Sequence, residues 1–85
     1  KNLMKIFYSP QFLKSFDKLP REVQDLFRIK EIILREDPFH QRLGTHKLKG
    51  KNRWSFWVSY KIRVIFIFHK DEYILVNIGD HSIYR

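Results

Sequence analysis

The sequence contains no cysteine, only three glycines and three prolines, and no long hydrophobic run. Without thiols, neither disulfide bonds nor thiolate metal ligands can stabilise the chain, a composition that suits a reducing cytoplasm. The apolar runs are far shorter than the ~20 residues that a membrane-spanning helix needs, and no secretion-signal pattern opens the sequence. We therefore predict one cytoplasmic domain over residues 1–85, without a membrane partner.

Acidic residues are scarce relative to basic ones. Nine Asp and Glu stand against seventeen Lys and Arg, which gives a formal charge of +8 and a pI near 10.0. Such a charge on a small domain attracts polyanions, so a nucleic acid, the ribosome or an acidic protein is the expected partner. The alternative is a basic protein whose charge serves solubility alone. Four full positive charges and a histidine lie within His46–Arg53, directly before an aromatic segment.

Several kinds of catalytic motif are also missing. The four histidines are scattered and have no cysteine beside them, so we predict no zinc site. The aspartates show no pairing of the kind that holds Mg²⁺ in nucleases. There is no glycine-rich phosphate loop and no serine-nucleophile motif. We therefore expect neither a metal nor another cofactor.

The first half of the chain has the hydrophobic spacing of two helices. Ser9 followed by Pro10 predicts a helix start, with a side-chain cap and a residue whose φ suits the first turn. The buried stripe of this helix is Phe12, Phe16 and Leu19. A second helix is predicted from about Arg21 to Glu36, ended by Asp37–Pro38. Its predicted inner side contains Val23, Leu26, Phe27, Ile29 and Ile33, and its predicted solvent side contains Arg21, Gln24, Arg28, Lys30, Glu31 and Arg35.

Strand patterns precede and follow these helices. Met4–Tyr8 predicts a short opening strand, and Tyr73–Ile78 predicts the last of three C-terminal strands. The predicted buried faces of the other two are Trp54, Phe56 and Val58, then Ile62, Val64, Phe66 and Phe68. Ser55, Ser59 and Arg63 project from the opposite faces. The sequence therefore predicts an α+β fold, with two helices on one face of a roughly four-stranded sheet that ends in an antiparallel meander.

Three segments, in this order, carry a resemblance to a known family. They are H-x-L-x-G at His46–Gly50, S-Y-K-I-R-V-I-F at Ser59–Phe66 and G-D-H-S-I-Y-R at Gly79–Arg85. Together with an F-x-K-x-F-x-K-L-P segment in the first helix, they resemble the RelE/ParE superfamily of type II toxin–antitoxin toxins, and its YafQ-type branch most. The resemblance implies a RelE-like fold, an acidic antitoxin as partner and ribosome-dependent cleavage of mRNA.

Two alternatives and one departure accompany this resemblance. A ParE-like inhibitor of DNA gyrase, or a basic antitoxin-binding module without catalysis, would share the same fold. Trp57 and Lys61 stand where YafQ-type members carry a further histidine and an aspartate. This departure bears on which residue acts as the general base and on the kinship of the chain to the YafQ-type branch.

Metal-free RNA cleavage uses the substrate's own 2′-hydroxyl to attack the adjacent phosphate. The reaction needs a base for that proton, an acid for the departing 5′-oxygen and cations around the phosphorane oxygens. Histidine titrates near the operating pH and arginine keeps its charge, so these residue types suit the three roles.

The terminal segment supplies two predicted catalytic residues. His81 follows Gly79 and Asp80 at a strand end, where the resemblance implies a catalytic histidine, and we predict that it is the general acid. Tyr84 corresponds to the family's terminal aromatic residue, which implies stacking on a base or a hydrogen bond near the phosphate. The structural alternatives are a solvated histidine in a frayed tail and an aromatic ring that clips the tail to the sheet.

Three further residues complete the predicted catalytic set. Arg63 lies mid-strand among apolar residues, where a charge is costly unless it faces a cleft or a partner. The resemblance gives it the role of stabilising transition-state charge, and an ion pair with Asp80 or Glu72 is the alternative. His46 matches the histidine of the YafQ-type segment and is the predicted base, unless Lys49 acts instead. The residues predicted to contact RNA or the ribosome are Lys47, Lys51, Arg53, Lys61 and Arg85.

Overall fold

The computed structural model describes residues 4–50 and 52–84, which form two helices and a five-stranded sheet. In chain order the elements are β1 (Lys5–Tyr8), α1 (Pro10–Asp17), α2 (Arg21–Glu36), β2 (His46–Lys47), β3 (Trp54–Trp57), β4 (Arg63–His69) and β5 (Glu72–Gly79), with short 3-10 turns at Gln41–Leu43 and His81–Tyr84. The predicted α+β class and the order of its elements are confirmed. The sheet has one strand more than predicted, because β2 joins its edge in a segment predicted as a loop. The predictions for Lys51 and Arg85 lie outside the described residues.

The strand order is β1-β5-β4-β3-β2. β1 pairs with β5 in parallel, whereas the other neighbouring strands are antiparallel. Strand β4 is therefore central, and its first residue, Arg63, lies between Trp57 on β3 and Gly79 on β5. This differs from the predicted mid-strand position, and it puts the guanidinium at the end of the sheet where the C-terminal turn follows β5.

The predicted start of α1 and both predicted ends of α2 are confirmed, whereas α1 ends at Asp17, before Leu19, which was predicted to belong to its buried stripe. The Ser9 hydroxyl accepts a hydrogen bond from the backbone N–H of Phe12 (2.9 Å) and donates one to the carbonyl of Val76 on β5 (2.6 Å). The same side chain thus caps α1 and ties it to the sheet. Helix α2 ends at Glu36, since Asp37 precedes a proline and adopts an extended conformation.

The face that α2 turns to the core differs from the predicted one. Leu26 and Ile29 are exposed, whereas Glu31 is buried together with Phe27 and Leu34. Burial of the carboxylate is compensated by polar partners: the Tyr8 hydroxyl donates a hydrogen bond to Glu31, and Arg28 and Arg35 form ion pairs with it. Desolvation by burial raises the pKa of Glu31, and the charge of Arg35 opposes that rise.

Strands β3 and β4 present different side chains to the two faces of the sheet. Phe56, Val64 and Phe66 belong to the main core, where helix and sheet residues pack together. The buried residues of this core are Phe12, Phe27, Leu34, Leu43, Phe56, Val58, Val64, Phe66, Tyr73, Leu75 and Ile78. Among the described residues, neither helix combines the length and the apolar composition required to cross a membrane.

Ser55 lies on the other face of β3, as its alternation with Trp54 and Phe56 predicts, yet it is fully buried. The reason is a long-range contact: its hydroxyl lies 2.6 Å from the hydroxyl of Tyr84 in the C-terminal turn. The turn therefore covers part of the sheet face that the helices leave open, and local alternation of polar and apolar residues could not reveal this.

Candidate active site

A cleft of about 500 Å³ opens on the sheet face opposite the helical core. It brings together residues from β2, the β2–β3 connection, β3, β4 and the C-terminal turn. Its described lining residues are His46, Leu48, Lys49, Arg53, Trp57, Arg63, Ile65, His81, Ile83 and Tyr84. The set includes every residue that the sequence predicted to be catalytic, although these lie up to 38 positions apart between His46 and Tyr84 (84 − 46).

The charge of this cleft is positive. Lys49, Arg53 and Arg63 contribute cations, His46 and His81 can each take up a proton, and none of the described lining residues is acidic. Because a concave surface concentrates the field of the charges that line it, the cleft attracts a phosphate group. The cleft also contains the aromatic residues Trp57 and Tyr84, so it combines cations with aromatic rings.

The sheet fixes the position of Arg63. Trp57 and Arg63 are direct partners across β3 and β4, and the guanidinium carbon lies 5.2 Å from the centroid of the indole ring. A cation held over an aromatic face is restrained without being neutralised, so it keeps its charge for a ligand. Glu72 pairs with His69 at the opposite end of β4, which removes Glu72 as the structural partner of Arg63.

The C-terminal turn is an ordered 3-10 element. The Asp80 carboxylate accepts hydrogen bonds from the backbone N–H of Ser82 (2.9 Å) and from the Ser82 hydroxyl (2.7 Å). Gly79 allows the chain to fold back, since a Cβ at this position would come within 2.7 Å of the Cγ2 of Ile83. The terminal G-D-H-S-I-Y sequence therefore codes for a capped turn, and His81 lies at its start.

His81 and Tyr84 meet at the wall of the cleft. Their rings are perpendicular, with centroids 5.1 Å apart. Tyr84 is held in turn by the hydrogen bond between its hydroxyl and Ser55. The tyrosine thus does clip the tail to the sheet, and by doing so it positions the imidazole of His81, which is exposed. The structural interpretation of Tyr84 is thus confirmed, and its contact with RNA stays a prediction.

The hydrogen bonding of His46 defines its tautomer. Its Nδ1 lies 3.1 Å from the carbonyl oxygen of Gly44. Since a carbonyl only accepts, Nδ1 carries the hydrogen, and the neutral ring has its lone pair on Nε2. Such a ring can accept a proton at Nε2, as a general base must. Gly44 itself has a positive φ of 59° and lies against Trp57.

Comparison with solved structures identifies the fold. A copper-bound mutant toxin from Helicobacter pylori aligns with 96% of this chain and 99% of its own, at 22% identity and a TM-score of 0.73. The RelE–RelB complex from Pyrococcus horikoshii aligns over 93% and 96%, at 16% identity and a TM-score of 0.76. The DinJ–YafQ complex from E. coli aligns over 94% of both chains, at 16% identity and a TM-score of 0.77. The chain has the RelE-type toxin fold. No family model and no curated protein sequence matches it.

The residues predicted to bind RNA or the ribosome lie at different distances from the cleft of this RelE-type fold. Arg53 lines the cleft itself. Lys47 is exposed on β2 and borders a separate shallow hollow together with Lys49. Lys61 is exposed in the turn between β3 and β4. Their roles stay predictions.

Sequence reasoning missed two features of the site. Ser55 anchors Tyr84, and Ile65, which is buried beside the turn, forms part of the cleft wall. No local signal distinguishes Ser55 from an ordinary outward-facing serine. Within residues 4–50 and 52–84, no three or more His, Cys, Asp or Glu side chains come together as a set that could hold a metal ion.

Proposed function

We propose that this protein is the toxin of a type II toxin–antitoxin pair and that it cleaves mRNA on the ribosome without a metal. The observation that carries the proposal is the meeting of His46, Arg63 and His81 around one positive cleft in a RelE-type fold. An acid, a base and a fixed cation within one cleft are the groups that phosphodiester transesterification requires.

In the proposed reaction, Nε2 of His46 accepts the proton of the ribose 2′-hydroxyl. The resulting O2′ nucleophile attacks the neighbouring phosphorus, and a 2′,3′-cyclic phosphate forms as the bond to the 5′-oxygen breaks. His81, in its protonated form, gives its proton to that departing oxygen. The proton lost at O2′ and the proton gained at O5′ balance, so no external oxidant, reductant or metal enters the reaction.

Arg63 stabilises the charge that develops on the phosphorane oxygens. Its planar guanidinium can donate two parallel hydrogen bonds to a phosphate, whereas the ammonium of Lys49 acts as a point charge. Lys49 also lines the cleft, and it serves as a second cation or, if His46 is dispensable, as the group that takes the proton. Tyr84 holds His81 in position and offers its ring to a base of the message.

Dependence on the ribosome follows from how open this site is. His46, Lys49 and His81 are all exposed, so the chain alone provides little to orient the 2′-hydroxyl and the phosphate of a bound strand for reaction. Precise placement of the reacting groups is worth several orders of magnitude in rate. We propose that the ribosome supplies this placement in the cytoplasm and that Lys47, Lys51, Arg53, Lys61 and Arg85 contact RNA.

Translation in vitro tests the proposal. A defined message is translated with and without the protein, and its new 5′ ends are mapped by primer extension. We expect cuts within ribosome-bound message and none in the same RNA without ribosomes. Intact message combined with inhibition of DNA supercoiling by gyrase would contradict the proposal and indicate a ParE-like function instead.

We further propose that the partner of this chain is an acidic antitoxin. The +8 charge favours encounter with such a protein, and Leu26, Ile29 and Ile32 form an exposed apolar stripe on α2 that can anchor it. RelE and YafQ toxins of the same fold were solved as complexes with RelB and DinJ. Antitoxins of this kind wrap their targets with segments that fold on binding.

Salt dependence of the two rate constants tests how the complex is held. Added salt should slow association strongly, because screening removes the long-range attraction, and should leave dissociation nearly unchanged. Ile29→Asp should instead speed dissociation and leave association nearly unchanged. A dissociation rate that climbs steeply with salt would contradict the apolar anchor and indicate a buried ionic contact.

A further inference from the structure

A second hollow adjoins the candidate active site and shares two of its walls. It measures about 310 Å³, and its described lining residues are Lys30, Trp57, Ser59, Tyr60 and Arg63. Trp57 and Arg63 also line the catalytic cleft. The two hollows are therefore neighbours that meet at Trp57 and Arg63.

Tyr60 is the first unexplained feature of the hollow. Its side chain is 90% exposed, yet the turn that carries it is well defined. The backbone N–H groups of Val58 and Ser59 donate to the carbonyl of Ile62 (2.9 and 3.2 Å), and the N–H of Ile62 donates to the Ser59 hydroxyl (3.2 Å). The ring contributes almost nothing to the core and lines the hollow, where it is accessible to a ligand.

Trp57 forms the second aromatic wall. A Cβ on Gly44 would come within 2.8 Å of the indole, so the glycine backbone lies directly against the ring and restrains it. Even so, 45% of this residue remains exposed. Because the Gly44 backbone and the Arg63 guanidinium both lie against the indole, Trp57 serves as a rigid, partly exposed wall that a ligand can contact at a small cost in side-chain entropy.

The remaining groups of the hollow are cationic or neutral. Lys30 donates one hydrogen bond to the carbonyl of Arg42 (2.8 Å), which leaves two ammonium hydrogens for a ligand. Burial and the nearby charge of Arg42 lower the pKa of Lys30; an anion beside it would offset that effect. None of the described lining residues is acidic. Aromatic faces beside cations match a nucleobase and its phosphate.

We propose that this hollow binds the nucleotide next to the scissile one in single-stranded RNA, with its base stacked on Tyr60 beside the Trp57 wall and its phosphate beside Lys30 and Arg63. The inference rests on the proposed function, since it takes the strand in the cleft to be RNA. Because Arg63 belongs to both hollows, only an immediate neighbour of the scissile phosphate can reach this position.

A double-mutant cycle tests the proposal by removing the RNA base and the Tyr60 ring, separately and together. The probe is a short single-stranded RNA carrying 2′-O-methyl groups, which cannot be cleaved, and its variants lack the base on one side or the other of the central phosphate. Binding to the unchanged chain, Tyr60→Ala and Tyr60→Phe is measured by fluorescence anisotropy. We expect Tyr60→Ala to weaken binding about 5- to 150-fold, the range that corresponds to one base–aromatic stack. Tyr60→Phe should keep most of the affinity.

One of the two abasic probes should bind the unchanged chain more weakly by the same factor. Its affinity for Tyr60→Ala should be little lower than that of the complete probe, because the base and the ring form one contact that Tyr60→Ala has already removed. Phe7→Ala is the matched control. Phe7 is 48% exposed on β1, an edge strand that β5 and β4 separate from β3. Its removal should leave RNA affinity unchanged.

Independent, additive losses from the ring and the base would overturn the inference, as would an equal effect of Phe7→Ala or absence of binding to the RNA probe. The translation experiment is a separate measurement. A chain that shows the base–Tyr60 coupling but cuts no ribosome-bound message retains this inference and loses the proposed function.

Discussion

The two faces of the sheet are built by different rules, although the same strands contribute to both. Toward the helices, β3 and β4 present Phe56, Val64 and Phe66, all fully buried in an aromatic and aliphatic core. Toward the C-terminal turn, the alternate residues Trp57 and Arg63 line an open cleft. The first face needs only volume and apolarity, whereas the second needs particular functional groups.

This contrast separates the determinants of stability from those of activity. A side chain on the helical face is surrounded on all sides, so its loss leaves a cavity. A side chain on the cleft face borders solvent, and its loss mainly removes a contact to a ligand. Neighbouring positions on β4 therefore should respond to substitution in opposite ways, and the following predictions use that difference.

The largest effect is expected at the cleft. His81→Ala should lower cleavage of ribosome-bound message by about 10²- to 10⁴-fold, the usual contribution of a general acid. Because His81 is exposed, chemical unfolding of the variant should match that of the unchanged chain. His69→Ala is the control, since His69 is an exposed histidine at the far end of β4. Full activity of His81→Ala would remove this residue from the mechanism.

A substitution on the helical face should lower stability and leave activity nearly unchanged. Phe66→Ala deletes a fully buried ring that contacts Phe56, Phe68 and Tyr73, and it should lower the free energy of unfolding by about 3–5 kcal/mol. Urea titration followed by circular dichroism measures the change. If the variant still folds at low temperature, its cleavage rate there should stay close to normal. A loss of activity in a fully folded sample would break the distinction between the faces.

A subtler change at the cleft tests the shape of a cation. Arg63→Lys keeps the charge but loses the planar fork and its position over Trp57. We expect cleavage to fall by about 10²-fold, as when one donor to a transition-state oxygen is removed, with little change in ribosome binding. Unfolding of this variant would instead assign Arg63 a structural ion pair.

The comparison also explains how much could be predicted from the sequence. The bounds of α2 were predictable because Pro20 precedes the helix and Asp37–Pro38 follows it. The buried face of α2 was not predictable. Leu26, Ile29 and Ile32 are apolar and yet exposed, so apolar character alone does not select the buried side, and the buried Glu31 depends on Tyr8, 23 positions earlier.

The candidate site divides in the same way. Its histidines and Arg63 were predictable because their residue types carry the chemistry and their segments resemble a family. The contribution of Ser55 was not, since it arises only when the C-terminal turn folds over β3. The aromatic hollow at Tyr60 was not predicted either. Exposure of a ring depends on which neighbours fail to cover it, and a single sequence does not encode that locally.

The smallest effect is expected from Glu31, the one charged side chain within the buried set of the helical face among the described residues. Its pKa is raised in the folded state by desolvation, so the folded chain holds this proton more tightly than the unfolded chain does. The associated stabilisation is fully present below the unfolded pKa and is lost as pH rises through the folded pKa. Glu31→Gln keeps an acceptor for Tyr8 but cannot titrate. Its free energy of unfolding should therefore vary less over the acidic range than that of the unchanged chain, while cleavage on the other face is unaffected. Identical pH profiles in urea titrations of the two proteins would contradict a raised pKa and would mean that Arg28 and Arg35 fully compensate the burial of this carboxylate.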